Sequence, residues 1–318
     1  MLVAALSGQT GDRDETDRRI RIVVCGHEGQ LARALLEADR LPDTELVAVG
    51  RPTLDIADPS SIASTIARER PDLVINAAAY TFVDQAEIEP DAAFAVNAAG
   101  ADNVARACAA RSIPLIHIST DYVFDGSKPV PYVEDDLTFP ATVYGRTKRE
   151  GELRVIEACE RHLILRTAWL HSPWGANFVK TMLRLANERN VIGVVDDQRG
   201  APTYAPDLAV AVLAIARRAI ADPDRMSWGI YHVVGGGEAT WCGFAREIFK
   251  AAAEQGLPAG RVDPIATSDY PTPAPRPADS RLSCDKLRRE FGVELPHWQA
   301  RVHECVRRVA LASRETGA

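Results

Sequence analysis

Short β-rich runs alternate with helical patterns through the first half of this 318-residue chain, and that alternation restricts the fold more than any other feature. A strand, a helix and a second strand in succession imply parallel pairing, because a helical crossover returns the chain to its starting edge. Ile20-Arg-Ile-Val-Val24 reads as a buried strand, with a helix over residues 29–38 behind it. Leu46-Val-Ala-Val49 is a second strand. Asp58-Pro59 opens a helix to Arg70, the Asp as cap and the Pro at the first helical position. Leu73-Val-Ile-Asn76 is a third strand, followed by one long Ala-rich helix over residues 91–110. Pro114 to Ser119 and His162 to Arg166 supply a fourth and a fifth strand, with a helix around residues 144–148 between them. The predicted class is α/β, a Rossmann-like doubly wound parallel sheet.

Past Trp169 the alternation loosens. Helices near 176–190, 205–219, 240–256 and 297–313 are interleaved with short strands and a Pro-rich loop, Tyr270 to Pro277. A long irregular segment in a compact domain is usually functional. This half is expected to form a smaller α/β lobe that closes over the carboxyl ends of the sheet. Residues 1–19 join a short apolar run to Gly, Asp, Arg and Thr without periodicity, and read as a disordered extension or an upstream start. The net charge of −7 argues against a nucleic-acid surface. No apolar run approaches the ~18 residues of a membrane span. Six cysteines fall mostly in apolar patterns, with no metal-like spacing, which suits a reducing cytosol. The expected location is cytoplasmic.

Gly26-His-Glu-Gly29-Gln-Leu-Ala32 follows the first strand directly and opens the first helix. In that context the N–H groups at the helix start receive a dinucleotide pyrophosphate, with Ala32 in place of a third glycine. A plain strand–helix turn uses glycine too, but the context favours the dinucleotide. His27 and Glu28 are unusual polar choices inside such a loop. The second strand ends Val49-Gly50-Arg51, with no carboxylate before Asp55. Arg51 suits the 2′-phosphate of NADPH; the alternative is a surface arginine, with Asp55 reaching the adenosine.

Tyr144 and Lys148 stand four residues apart on a helix and so share one face. A cation beside a phenol favours phenolate and lowers its titration toward working pH. Tyr144 can then protonate a ketone oxygen as a hydride reaches the carbon. Ser119-Thr120-Asp121-Tyr122 ends the fourth strand, at the edge where open α/β sheets bind ligands. Thr120 can donate to the same oxygen, and Asp121 can accept from a substrate hydroxyl. A strand end with a cap or turn accounts for the same tetrapeptide. In Asn76-Ala-Ala-Ala79-Tyr-Thr81 the small residues let a cofactor lie against backbone.

These motifs, in this order, resemble the extended short-chain dehydrogenases/reductases, and more closely the dTDP-4-dehydrorhamnose reductase family. The segments that carry the likeness include Asn76 to Glu87, Ser119 to Phe124, Val143 to Lys148, Leu165 to Trp169 and Asn177 to Leu183. Asp197 to Thr203, Gly229 to His232 and Tyr270 to Leu282 extend it, so that it covers roughly residues 20–310. The resemblance implies NADPH- or NADH-dependent reduction of the 4-keto group of a dTDP-6-deoxyhexulose. It makes Tyr144 the proton donor, Lys148 the residue that binds the nicotinamide ribose and lowers the tyrosine's pKa, and Thr120 the supporting hydroxyl. Asp121 and Trp169 would hold the sugar, the indole offering an apolar face. Cofactor contacts would be Gly26, Gly29, Gln30, Leu31, Arg51, Asp55, Ile56, Ala79, Tyr80, Thr81 and Ile118.

Arg276 and Arg281, around the Pro-rich loop, offer forks for the substrate pyrophosphate; solvated arginines read equally well. Some relatives carry Mg²⁺ at a subunit contact, so a homodimer is an expectation, but no acid cluster here is distinctive enough to assign a metal. The domains expected are a nucleotide-binding unit over 20–170, with return segments from the second half, and a mainly substrate-binding lobe over 171–318. A 4,6-dehydratase relative would need Thr-Asp-Glu where this chain has Thr120-Asp121-Tyr122. The epimerase relatives place serines there. A related reductase gives the talose epimer. From another class comes a non-catalytic NADP-binding regulatory subunit, which would have no need to keep Thr120, Tyr144 and Lys148 together.

Overall fold

The computed structural model describes residues 19–38 and 43–316. The extension expected over residues 1–19 falls, except for Arg19, outside the described residues. β1 (Ile20–Cys25) leads through a glycine turn into α1 (Gln30–Ala38), and β2 (Thr44–Val49), α2 (Pro59–Glu69) and β3 (Leu73–Asn76) follow. Next come α3 (Val83–Ile88), α4 (Pro90–Phe94), a π-helical turn over Ala95–Ala99 and α5 (Gly100–Ala109). β4 (Leu115–Thr120), α6 (Val143–Ala158) and β5 (His162–Thr167) complete this half. The strands pair in parallel in the order β2-β1-β3-β4-β5. Helices cover both faces, so Val23, Val24, Val74 and Ile75 are all fully buried, as continuous apolar strands require. Sheet growth reverses between β1 and β3, and the crevice that a doubly wound sheet opens lies at the carboxyl ends there.

Local rules account for several boundaries. Asp58 caps α2 by accepting from the Ser60 N–H, Pro59 takes the first position, and Arg70 closes the helix in the left-handed region. The single helix expected over 91–110 runs unbroken as α4 and α5, with the π turn inside it, a device that re-aims side chains. Here the turn carries Asn97, whose amide accepts from the Tyr80 N–H at 2.8 Å and donates to the Tyr80 carbonyl at 3.0 Å and the Thr147 hydroxyl at 3.1 Å. Those bonds clamp the segment after β3 to α6.

The second half runs β6 (Leu170–His171), α7 (Phe178–Glu188), β7 (Val191–Val195), β8 (Arg199–Gly200), β9 (Thr203–Tyr204) and α8 (Ala205–Ala221). β10 (Gly229–His232) then joins the main sheet as a sixth parallel strand beside β5. β11 (Ala239–Thr240), α9 (Trp241–Glu254), β12 (Arg261–Ile265), α10 (Asp285–Phe291) and α11 (Trp298–Thr316) follow. α8 packs with α1 in the core on one face of the sheet. Val179, Phe244, Ile248 and Val302, from α7, α9 and α11, form a separate apolar cluster. Helices α3 and α10, of six and seven residues, escape a sequence reading because two turns are too short for a 3.6-residue period to register. Of the six free cysteines, five are buried.

Candidate active site

A cleft of about 530 Å³ opens at the carboxyl edge of the sheet, bounded by the start of α1, the ends of β3, β4 and β5, and the amino-terminal half of α6. Its wall contains Gly29, Gln30, Leu31, Ala79, Thr81, Ile118, Thr120, Asp121, Tyr144, Lys148 and Trp169 of the residues expected from sequence. Helix α6 delivers two of them. Thr142 caps it by accepting from the Gly145 N–H at 2.9 Å. A Cβ at Gly145 would overlap the Tyr122 carbonyl, so only glycine lets the first turn of α6 approach the segment after β4. That approach brings Tyr144 within hydrogen-bonding reach of Thr120.

Burial dominates the electrostatics. It pushes the Tyr144 phenol up to about 12, with the Thr120 hydrogen bond lowering it and the Asp121 charge raising it as smaller influences. The expectation that Lys148 brings this phenol down is therefore corrected: the net direction is upward. The physical reason is that the lysine is itself buried and otherwise engaged. Its Nζ donates to the Ile118 carbonyl at 2.6 Å, and burial lowers it to about 8 against the raising influence of Glu152. Asp121 is pushed up to about 6 by burial, only partly offset by hydrogen bonds from Ser280 and Thr120. The Thr120 hydroxyl donates to Asp121 Oδ1 at 3.0 Å and accepts from the Tyr122 N–H at 3.2 Å.

The cofactor end fits a dinucleotide. Gly26 adopts φ +99° against the backbone of Ala78, a conformation that L side chains rarely adopt. A Cβ at Gly29 would meet nothing within 4 Å, so space is open above the start of α1. The helix ladder begins with Arg33 N–H to the Gly29 carbonyl at 3.0 Å, leaving the first-turn amides to receive an anion. The imidazole of His27 lies where a side chain on residue 50 would be, which explains both the histidine in the loop and Gly50 at the end of β2.

Seven expected residues lie outside the cleft wall. Gly26 directly follows β1. Arg51 is exposed just after β2. Asp55 accepts from the Ala57 N–H at 2.9 Å, and Ile56 is buried among the apolar residues that cover β1 and β3. The Tyr80 hydroxyl donates to Glu89 at 2.7 Å. Arg276 is spent on Asp84 at 2.7 Å and on the Ala274 carbonyl, while Arg281 is spent on Asp279, Glu238 and the Pro129 carbonyl. Trp169 does line the cleft, but one face of its indole stacks on Trp241, with ring centroids 3.5 Å apart and planes 7° apart.

The model of the RmlD substrate binding domain matches residues 20–311. A dTDP-4-dehydrorhamnose reductase of Sinorhizobium fredii (strain NBRC 101917 / NGR234) is 50% identical over 280 residues, 88% of this chain and 94% of that relative. The chain belongs to the dTDP-4-dehydrorhamnose reductase family. A crystal structure of dTDP-4-dehydrorhamnose reductase from Bacillus anthracis, in complex with NADP, has a TM-score of 0.83 and 37% identity, covering 90% of this chain and 98% of that one. The Clostridium acetobutylicum reductase structure gives 0.84 at 34% identity, with coverage of 90% and 98%.

In this member of the dTDP-4-dehydrorhamnose reductase family, the roles of Ser172, Asn177, Thr167 and Trp241 escaped the sequence reading. The Gln30 side chain accepts from Ser172 Oγ at 2.7 Å and from Asn177 Nδ2 at 3.0 Å, tying α1 to the cap of α7 across the cleft. Thr167 is the register partner of Thr120 across β4 and β5 and lines the cleft; its buried hydroxyl has no hydrogen-bond partner among the described residues. Only the strand-end position of Thr167 hinted at this. Trp241 carried no signal, since its stacking depends on a distant turn. Among the described residues, no group of three or more His, Cys, Asp or Glu side chains is arranged to hold a metal. No helix of the described residues is long and apolar enough to cross a membrane.

Proposed function

We propose that this chain reduces the 4-keto group of dTDP-4-dehydro-6-deoxy-L-mannose to dTDP-L-rhamnose with NADPH. The observation that carries the reading is that Thr120, Tyr144 and Lys148 share one cleft with the start of α1, in a chain of this family. The solved B. anthracis relative, in complex with NADP, supports the choice of cofactor. Gly29, Gln30 and Leu31 would hold the pyrophosphate at the start of α1, and Ala79, Tyr80, Thr81 and Ile118 the rest of the dinucleotide. Arg51, Asp55 and Ile56 would serve its adenosine end, with Arg51 on the 2′-phosphate. NADPH, when bound, supplies the hydride that C4 accepts.

The chain's own groups handle the proton. Tyr144 releases its phenolic proton to the keto oxygen, so that the carbonyl becomes a secondary alcohol. A phenol pushed up to about 12 holds that proton at neutral pH, as a donor must. The Thr120 hydroxyl supports the same oxygen, and charged Lys148 holds the nicotinamide ribose. Asp121 and the free face of Trp169 hold the sugar; Arg276 reaches a substrate pyrophosphate only by leaving Asp84.

Residues 20–170, with β10 and α8 returning to them, are proposed as the nucleotide-binding unit, and most of 171–318 as the substrate lobe. A homodimer and a cytoplasmic location accompany this reading, the latter supported by the buried free thiols. The test is NADPH consumption by the purified chain, with the keto sugar generated by the upstream enzymes and the product identified by NMR. Formation of dTDP-L-rhamnose establishes class, substrate and stereochemistry together. A talose product moves the assignment to the epimeric reductase. Tight NADPH binding without consumption favours a regulatory subunit.

A further inference from the structure

Behind the cleft wall lies a buried polar line that the proposed reaction does not use. Asn76, at the end of β3, faces His117 on β4, with Nδ2 and the imidazole Nδ1 3.2 Å apart. His117 in turn faces Lys148 on α6, with Nε2 and Nζ 3.4 Å apart. Asn76 and His117 are each 1% exposed and Lys148 2%. The orientation of the Asn76 amide follows from its other contact: Oδ1 accepts from the Ala78 N–H at 3.3 Å, so Nδ2 is the end that faces His117. An N–H donor on that side makes Nδ1 the acceptor and leaves the ring proton on Nε2, toward Lys148. Two donors then confront each other unless the lysine is an amine, whose lone pair accepts the Nε2 proton while one of its own N–H groups stays on the Ile118 carbonyl.

We infer that Asn76 and His117 are positioning residues that favour the neutral amine form of Lys148 while the cleft is empty. The inference rests on reading the cleft as a dinucleotide site only for the event that charges the lysine. The other charged and titratable groups around Lys148 do not supply a free counter-charge. On its own helix, Tyr144 is a neutral phenol, and Glu152 is committed to Arg166 of β5 and to the Ser119 hydroxyl. His162 of β5 acts on His117 and is itself lowered by burial; Asp121 bonds Thr120. Burial keeps His117 well below the ordinary histidine value, with the field of Lys148 acting in the same direction, so it is neutral and offers one donor and one acceptor. A lysine near neutrality avoids leaving an unpaired ammonium in a dry site and takes up a proton when ribose hydroxyls arrive to accept from it.

Long-range ¹H–¹⁵N NMR on the ligand-free full chain at pH 8 reads the tautomer directly, with His117 assigned by its loss in His117→Phe. The expected pattern is a protonated Nε2 and an unprotonated Nδ1; a protonated Nδ1 overturns the inference. The second measurement is NADPH affinity against pH, which in the parent chain falls as pH rises past about 8, where the lysine of the empty cleft gives up its proton and binding must restore it. In His117→Phe that fall is expected to move up by about one pH unit or more, since the opposing N–H is gone. Asn76→Asp, which would accept from Nδ1–H and turn Nε2 into an acceptor, moves it the same way. An unmoved fall in a folded His117→Phe protein overturns the inference. Absence of NADPH binding at every pH would count against the proposed function instead, and the NMR tautomer then decides the inference alone.

Discussion

Arg166 and Glu152 meet in a two-pronged ion pair, Nε to Oε1 and a terminal nitrogen to Oε2, each at 2.8 Å, with both side chains sealed from solvent. The pair joins β5 to α6 one helical turn beyond Lys148, and Ser119 Oγ adds a donor to the same carboxylate at 2.6 Å. It therefore sets how α6 is rotated against the sheet, and with it where Tyr144 and Lys148 point.

Removing one member of a buried pair strands the other charge without water. Glu152→Leu is expected to lower the free energy of unfolding by about 3–5 kcal/mol, measured by urea denaturation. A loss within the ~0–1 kcal/mol of an exposed pair would show that water reaches Arg166.

Tyr144→Phe removes the proton and keeps the ring. Turnover should fall by about 10²–10⁴ while NADPH affinity holds, as titration calorimetry can show. Unchanged turnover would remove Tyr144 from the chemistry.

Asp121 makes stability depend on pH. Its folded-state carboxyl keeps a proton up to about 6 whereas its ordinary value is 3.8, so its contribution is present below about pH 4 and is lost as pH climbs through that window. Asp121→Asn keeps an acceptor for Thr120 and avoids the buried charge. Thermal melts should show the variant more stable at pH 8, by about 1–3 kcal/mol, and little changed at pH 4. A less stable variant at pH 8 would mean that the carboxylate is well solvated. Substrate KM should rise in the same protein.

Arg51 is exposed, so Arg51→Ala should fold normally. Its expected effect is a loss of NADPH affinity greater than that of NADH, by fluorescence titration of each. Equal losses would place the 2′-phosphate elsewhere.

Much of the fold was legible because strands and helices are written in neighbouring residues. The parallel strands of the first half declare themselves in short apolar runs such as Leu73–Asn76, and Asp58-Pro59 marks a helix start through its own chemistry. The π turn at Ala95–Ala99 was not legible, because what it serves is the Tyr80 backbone, which only packing brings beside Asn97.

By itself, the sequence determined the strand–helix order, the glycine turn into α1 and the four residues Thr120, Asp121, Tyr144 and Lys148 at one end of the sheet. Each is a matter of local period or of a motif a few residues long. Only the tertiary structure decided how those groups behave. Tyr144 is governed by burial rather than by its lysine, Lys148 faces His117 and the Ile118 carbonyl, Trp169 gives one face to Trp241, and Arg276 is held by Asp84. The physical reason is common to all four: desolvation and the choice of partner depend on which distant segments close around a group, and no local pattern records that.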